Sequence, residues 1–297
     1  MYPAEEVYGE VMKFYIVDCF AEEPYQGNQL LVIIEDRKLS DEEQQKITDE
    51  INFSETAFIC SGKQENGGYD VTIRMPGIGE APFAGHPTLG TAYVIQKYLE
   101  NGTSDQVILN LKVGQIPVAF NGDVLTMSQK APVFGDCVPK EEIAPVFHLE
   151  PEDIRDDYPV RHVSTGLPTV AVPLKSRDAL TRVHTDPDLF QAYLKQYPNH
   201  FCTHFFFVET GDRLLEARCM SEDYREDPAT GSANGDLAGY LIEHRWFDTD
   251  DVSWTVIQGE DMGRKSVLQV HASHIHDEWT IEVGGKCHLI ASGEWDI

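Results

Sequence analysis

Glu226–Tyr240 reads E-D-P-A-T-G-S-A-N-G-D-L-A-G-Y. Asp227-Pro228 ends the extended segment before it, because the residue preceding a proline avoids the α region. Gly231, Ser232, Ala233 and Asn234 are small enough for close backbone approach, and Ser232 is a candidate helix cap. Leu237, Tyr240 and Leu241 follow at i, i+3 and i+4, which predicts one apolar helix face. A helix that starts on small residues presents free N–H groups and the positive end of its dipole. That end suits a carboxylate or a phosphate.

A second stretch answers the first. Ala84–Ile95 reads A-G-H-P-T-L-G-T-A-Y-V-I. Aligning Gly85 with Gly231 pairs His86 with Ser232, Ala92 with Ala238 and Ile95 with Leu241. The two stretches lie nearly half of the 297-residue chain apart. A turn-into-helix element repeated at that distance predicts two related domains, with both helix starts facing one cleft and holding one anionic substrate. Taken alone, the pairing also fits coincidence between two Gly-rich helix starts.

Composition narrows the classes. A hydrophobic share of 41% supports a full core, and the length suits one large domain or two ordinary ones. A formal charge of −27 argues against nucleic acid or an anionic membrane surface as partner. No apolar run reaches the roughly 18 residues needed to cross a bilayer. The acidic N-terminus MYPAEEVYGEVMK lacks a signal peptide's apolar stretch, which predicts a cytoplasmic protein. Six scattered cysteines with no C-x-x-C fit free thiols in a reducing compartment.

Outward from the paired stretches, residues 1–11 read as a loose extension. Phe14–Phe20 and Leu30–Ile34 are short apolar strands around the turn Pro24–Asn28. Ser40 and Glu43 stand in capping-box spacing before a helix that runs to about Glu50. Asn52–Ile59 reads as a strand carrying Glu55 among apolar neighbours. Strands are expected at 70–75, 107–111, 116–120 and 124–128. Residues 129–160, acidic and rich in proline, read as irregular. Residues 161–174 read as strand, turn, strand, and further strands are expected at 201–209, 214–220, 252–258, 266–272, 279–283 and 287–295, with a helix over 186–197. Each half is many strands plus one internal helix, an α+β pattern.

Several motifs together resemble the phenazine-biosynthesis PhzF-like family. They are Asp18-x-Phe20 with Gly27-Asn28, Ser54–Phe58 (S-E-T-A-F) and Glu80–Ala92 (E-A-P-F-A-G-H-P-T-L-G-T-A). Then follow Ser164–Pro168 (S-T-G-L-P), Glu226–Ala233 (E-D-P-A-T-G-S-A), Gln258–Arg264 (Q-G-E-D-M-G-R) and Val283–Gly285 (V-G-G). The set falls in family order and spans nearly the whole chain from Lys13. The resemblance implies the diaminopimelate epimerase-like fold: two similar domains related by a pseudo-twofold axis, each a β-sheet or barrel wrapped round a central helix. The expected division is 1–128 and 129–282, with 283–297 returning to the first domain. A homodimer is implied as well.

The chemistry follows from residue types and from that resemblance. A glutamate desolvated among apolar residues has a raised pKa and can both take and return a proton. Glu55 could equally reach solvent from its strand; the resemblance implies that it is the acid/base. Asp227 is a candidate to orient a substrate amine or hydroxyl, although an Asp before Pro commonly bonds its own backbone. His86 at a helix start is disposed to stay neutral. Gly85, Gly231 and Ser232 are candidates to bind substrate through backbone N–H groups, and Asn28 is counted with them. In the related epimerases and proline racemases two cysteines stand at the core-helix starts; here those positions are Ala84 and Thr230, and neither forms a thiolate. A single glutamate favours a proton taken and returned on one face, as in the family's best-known activity on dihydro-hydroxyanthranilate. His271, His274 and His276 lack a ligand set for metal, and no Gly-rich piece matches a nucleotide-binding loop. The reading is a cofactor-independent isomerase acting on a small cyclic carboxylate, with no metal. The alternatives are an epimerase-like activity on an amino-acid derivative and a non-catalytic ligand-binding protein on the same fold. Met75-Pro76-Gly77 stands where many relatives have F-T-P, which leaves the substrate open.

Overall fold

A computed structural model describes residues 11–296. The extension expected over residues 1–11 falls outside them, except for Val11, which begins the first strand.

The first half builds a closed barrel. Its strands are β1 (Val11–Cys19), β2 (Asn28–Ile34), β3 (Thr56–Ile59), β4 (Tyr69–Met75), the short β5 (Gly79–Ala81), β6 (Gln106–Leu111), β7 (Gly114–Asn121) and β8 (Val124–Ser128). Pairings run β1–β2–β3–β4–β6–β7–β8, and a final strand, β17 (Glu278–Asp296), joins β8 back to β1. Strand alternation sorts the core. Leu30 and Val32 of β2 point inward to the central cluster, while Leu31 and Ile33 point outward under helix α1 (Asp41–Ile51). The capping box expected at the start of α1 is present, with Ser40 Oγ accepting from Glu43 N and Glu43 Oε2 accepting from Ser40 N.

Helix α2 (Gly85–Val94) fills the barrel and is buried on nearly every side. A helix without a polar face belongs in an interior. The second half repeats the plan. Its strands are β9 (Val133–Val138), β10 (Val160–Ser164), β11 (Pro168–Pro173), β12 (Thr203–Gly211), β13 (Leu214–Met220), β14 (Glu226–Asp227), β15 (Asp251–Gln258) and β16 (Ser266–Ile275). Three outer helices, α3 (Lys140–Ile143), α4 (Arg177–Arg182) and α5 (Pro187–Gln196), cover this sheet. Helix α6 (Gly231–Glu243) is its centre. The expected fold class, α+β with two sheets each wrapped round a helix, is the fold observed.

Details differ from the sequence reading. Residues 129–160 are not wholly irregular: Val133–Val138 forms β9 on β10, an edge position where a half-exposed strand shows no apolar alternation. The two closing strands expected at 279–283 and 287–295 are one strand, because Gly284–Lys286 stays extended by pairing with Val124–Thr126 of β8. Leu237, Tyr240 and Leu241 are buried, but so are residues on the other sides of α6; Gly239 lets Pro132 approach so closely that a Cβ there would stand 2.6 Å from it. Among the described residues, no helix is long and apolar enough to cross a membrane.

Candidate active site

The parallel pairing of β2 with β3 sets Leu31 beside Thr56. Both strands therefore begin at the same end of the barrel, with Asn28 on one and Glu55 just ahead of the other. Glu55 is not within the strand expected over Asn52–Ile59. Helix α1 runs to Ile51, and Asn52 ends it in the left-handed conformation at φ 52°, so the strand begins only at Thr56. The side chain of Glu55 is still largely enclosed, at 14% exposure.

His86, the second residue of α2, faces Glu55 with Nε2 3.4 Å from Glu55 Oε2. Burial pulls the His86 imidazole down to about 3, against a smaller opposing pull from the Gln29 backbone. Burial and the nearby Asp227 charge push the Glu55 carboxyl up to about 8; Arg225 opposes this and Glu222 adds to it. At neutral pH the ring is neutral and the carboxyl mostly protonated, so the contact is not an ion pair. Neither of the two facing atoms has a hydrogen-bond partner among the described residues. Buried polar atoms are rarely left so, and a pair of them marks a place where a ligand's polar groups fit.

Asn28 ties the halves together. Its Nδ2 donates to Asp227 Oδ1 at 2.7 Å and to Ala229 O at 3.1 Å, and lies 3.1 Å from His86 Nδ1. Two oxygen acceptors fix that atom as the amide nitrogen. An amide nitrogen only donates, so the neutral His86 ring facing it is assigned its lone pair on Nδ1 and its proton on Nε2, toward Glu55, with the two amide protons shared among three neighbours. Asp227 ends β14 and also accepts from Thr230 Oγ1 at 2.5 Å. Burial pushes its carboxyl up to about 6, with the Thr230 and Asn28 hydrogen bonds pulling the other way.

The starts of α2 and α6 meet. A Cβ on Gly85 would stand 2.8 Å from Gly231 Cα, so glycine is required there. Neither helix has a side-chain cap. The expected cap, Ser232, lies inside α6 at its second position, as His86 does in α2. The cap position is Thr230, whose hydroxyl is turned back to Asp227 instead. The N–H groups of Gly85, His86, Gly231 and Ser232 have no acceptor within their own helices. Two positive helix ends thus converge beside Glu55 and Asp227. Ala84 and Thr230 occupy the two cap positions, and neither offers a thiol.

A family model described as phenazine biosynthesis-like protein, PhzC-PhzF, matches residues 17–293. The chain belongs to that family. It is 31% identical over 95% of its length to the trans-2,3-dihydro-3-hydroxyanthranilate isomerase of Pseudomonas aeruginosa, of which it covers 98%. The crystal structure of a PhzF-family phenazine biosynthesis protein from Bacillus anthracis superposes with a TM-score of 0.85 at 26% identity, covering 97% of this chain and 100% of that one. A hydroxyproline epimerase from Agrobacterium vitis shares the fold alone, with a TM-score of 0.65 at 12% identity over 97% of this chain and 93% of that one. This PhzF-family chain is an isomerase of the PhzF type.

Glu55, His86, Asp227, Asn28, Gly85 and Gly231 are brought together in this PhzF-type isomerase, and Ser232 joins them through its backbone N, which would stand 3.1 Å from a Cβ on Gly85. Asn28 is only 2% exposed and its amide nitrogen is occupied by protein partners. Thr230, Gln258 and Arg264 also belong to the network; the sequence marked Thr230 only as a helix-start position without a thiol and assigned Gln258 and Arg264 no role. The only signal for Gln258 and Arg264 was membership in the Q-G-x-x-M-G-R motif. Surface cavities of about 390 Å³ beside Arg155 and Lys175, and about 460 Å³ beside Trp254 and His271, are lined by other residues.

Proposed function

We propose that this isomerase moves a double bond within a small cyclic carboxylate, and that trans-2,3-dihydro-3-hydroxyanthranilate, the substrate in its Pseudomonas relative's name, is the first compound to test. The observation that carries the reading is the Glu55 carboxyl, held at about 8 opposite neutral His86 where two uncapped helix starts meet. In the reaction, ionised Glu55 takes a proton from a ring carbon. The electron pair of that C–H bond shifts through the conjugated system. The protonated Glu55 then returns the proton to another carbon on the same face. Nothing is gained or lost overall, so no cofactor is required. A group poised near the working pH serves both steps.

The converging N–H groups of Gly85, His86, Gly231 and Ser232 bind the substrate carboxylate. Asp227 orients its amine or hydroxyl. Asn28 acts as a positioning residue for His86 and Asp227. An epimerase-like reaction through two thiols has no support, since Ala84 and Thr230 stand at the two helix starts. The same reading divides the chain at residue 128, returns 283–297 to the first domain, and makes the enzyme a cytoplasmic homodimer.

NMR in D2O tests it. Wild type offered the dihydro compound should give the isomer, with deuterium at the receiving carbon in the fraction of turnovers in which the Glu55 proton exchanges with solvent before its return. Glu55→Gln should lose on the order of 10³-fold in rate. If Glu55→Gln keeps wild-type turnover, Glu55 is not the acid/base.

A further inference from the structure

We infer that the Gln258–Arg264 turn is a positioning element of this site: Gln258 sets the direction of the Thr230–Asp227 hydrogen bond, and Arg264 holds the loop that presents Asn28. The turn begins on Gln258, the last residue of β15, and reaches both sides of the site. Gln258 Nε2 donates to Asp227 O at 2.8 Å and to Thr230 Oγ1 at 2.9 Å. Gln258 Oε1 accepts from Thr230 N and from Asn234 Nδ2, each at 3.2 Å. The backbone acceptor on one atom and the backbone donor on the other leave no freedom to flip the amide. Thr230 Oγ1 therefore receives a proton from Gln258 and has its own hydroxyl proton free to give. Of the two side chains in reach, Asp227 Oδ2 at 2.5 Å and the Cys219 sulfur, the carboxylate is the stronger acceptor. Gln258 thus makes Thr230 a donor to Asp227, which favours the carboxylate over the acid.

Arg264 works on the opposite side. Its Nη2 donates to Asp18 Oδ1 at 2.7 Å and Gln26 O at 2.8 Å, and its Nε to Gly27 O at 3.0 Å. Asp18 is itself buried and accepts from Tyr25 N through its other oxygen at 2.7 Å. The backbone adds a bond from Gly27 N to Lys265 O at 3.0 Å. Residues 25–27 are pinned in this way, and the next residue is Asn28, the second donor to Asp227. The turn also abuts the strand that carries Asp227, since a Cβ on Gly259 would stand 2.6 Å from Pro228 O. One short segment fixes both donors to one carboxylate. Few other cations offset the acids there. Asp227 is faced by Glu55 from the first barrel, by Glu226 and Asp223 from its own segment and by Cys219 from β13; Glu222 and Arg225 lie near Glu55, and His86 is neutral.

The inference rests on the proposed role of Asp227, but its test needs no substrate, so the two can fail separately. Aspartate labelled with ¹³C at the carboxyl is titrated by NMR, and the Asp227 signal is the one missing from Asp227→Asn. Gln258→Met should raise its midpoint by on the order of one pH unit. Thr230→Val should do the same, and the double variant should go no further than Thr230→Val alone, because Gln258 acts through Thr230. Thr230→Ser, which keeps the hydroxyl, should restore the wild-type midpoint. Arg264→Lys, which keeps a charge for Asp18 but loses the fork, should raise the midpoint as well. An unmoved Asp227 midpoint in folded Gln258→Met, or additive shifts in the double variant, overturns the role of Gln258. An unmoved midpoint in Arg264→Lys overturns that of Arg264. If Gln258→Met does not fold, Gln258→Glu takes its place: its carboxylate accepts the Thr230 proton, and an unmoved midpoint overturns the proposal equally.

Discussion

The starts of α2 and α6 share one geometry and carry different chemistry. Each enters its barrel without a side-chain cap, and they touch at Gly85 and Gly231. Around the first stand Ala84, which has no functional group, and His86, which burial keeps neutral. Around the second stand Asp227 and Thr230, joined by a hydrogen bond, with further acids along the Glu222–Glu226 segment. A repeated backbone element has placed two positive helix ends together, and side chains have made the sides unequal. The inequality reaches the carboxyls. Glu55 has lost water and gained no hydrogen bond on Oε2; Asp227 has lost water and gained two donors. One rises to about 8 and the other only to about 6. Neighbouring groups with separated pKa values are how a site assigns an acid/base role to one and a fixed charge to the other.

The largest effect short of removing Glu55 should come from abolishing that inequality. Asp227→Asn deletes the charge that helps hold the Glu55 proton. Turnover should fall on the order of 10²-fold. The limb of the pH profile of kcat/KM that reports Glu55 should move to lower pH, because a like charge has been removed. In wild type the ionised base starts the reaction, so kcat/KM should rise with pH, reach half its maximum near 8 and level off above that. A limb in Asp227→Asn that stays in place would mean that burial alone sets Glu55, and that the two sides of the site are electrostatically independent.

The backbone half of the comparison is tested by two alanines. Gly85→Ala places a Cβ 2.8 Å from backbone, at Gly231 Cα. Gly231→Ala meets the flexible end of Met127 at 2.9 Å and Gly85 Cα only at 3.2 Å. Overpacking a rigid contact costs about 1–3 kcal/mol, and a flexible neighbour lowers that. Gly85→Ala should therefore lower the Tm more than Gly231→Ala. Equal losses measured by calorimetry would show that the contact gives way from either side.

How much of this was legible depends on how local each signal is. The paired helix starts were readable because Gly85 and Gly231 sit in matching stretches of small residues. The capping box of α1 was readable because Ser40 and Glu43 are three residues apart. The loss of solvent at Glu55 followed from its apolar neighbours, though its exact place did not, since the sequence does not show where Asn52 ends the helix. Ser232 was misread as a cap because the partner that draws Thr230 into the cap position, Asp227, competes through a hydrogen bond that no propensity describes. Asn28 was counted as a substrate ligand, and its bond to Asp227, 199 residues along the chain, was not legible from local sequence. Gln258 and Arg264 were visible only as motif letters, for the same reason: their contacts are all long-range.

The last expected effect separates stability from catalysis at the same residue. A carboxyl whose folded pKa lies above its unfolded value binds more protons in the folded state between the two. Folding is then progressively destabilised as pH rises through that window, by up to about 1.4 kcal/mol per pH unit for one group. For Glu55 the window runs from the ordinary 4.5 up to about 8. His86 has the opposite sign: its folded value of about 3 lies below the ordinary 6.5, so stability is present above 6.5 and lost as pH falls toward 3. Glu55→Gln removes the first dependence and leaves the second. The variant should match wild type in Tm near pH 5, exceed it by up to about 10 °C above pH 8, and lose stability on acidification in parallel with it. If the two melting curves stay together above pH 8, the Glu55 proton is not held by the fold, and the contrast between the two sides of the site rests on hydrogen bonding at Asp227 alone.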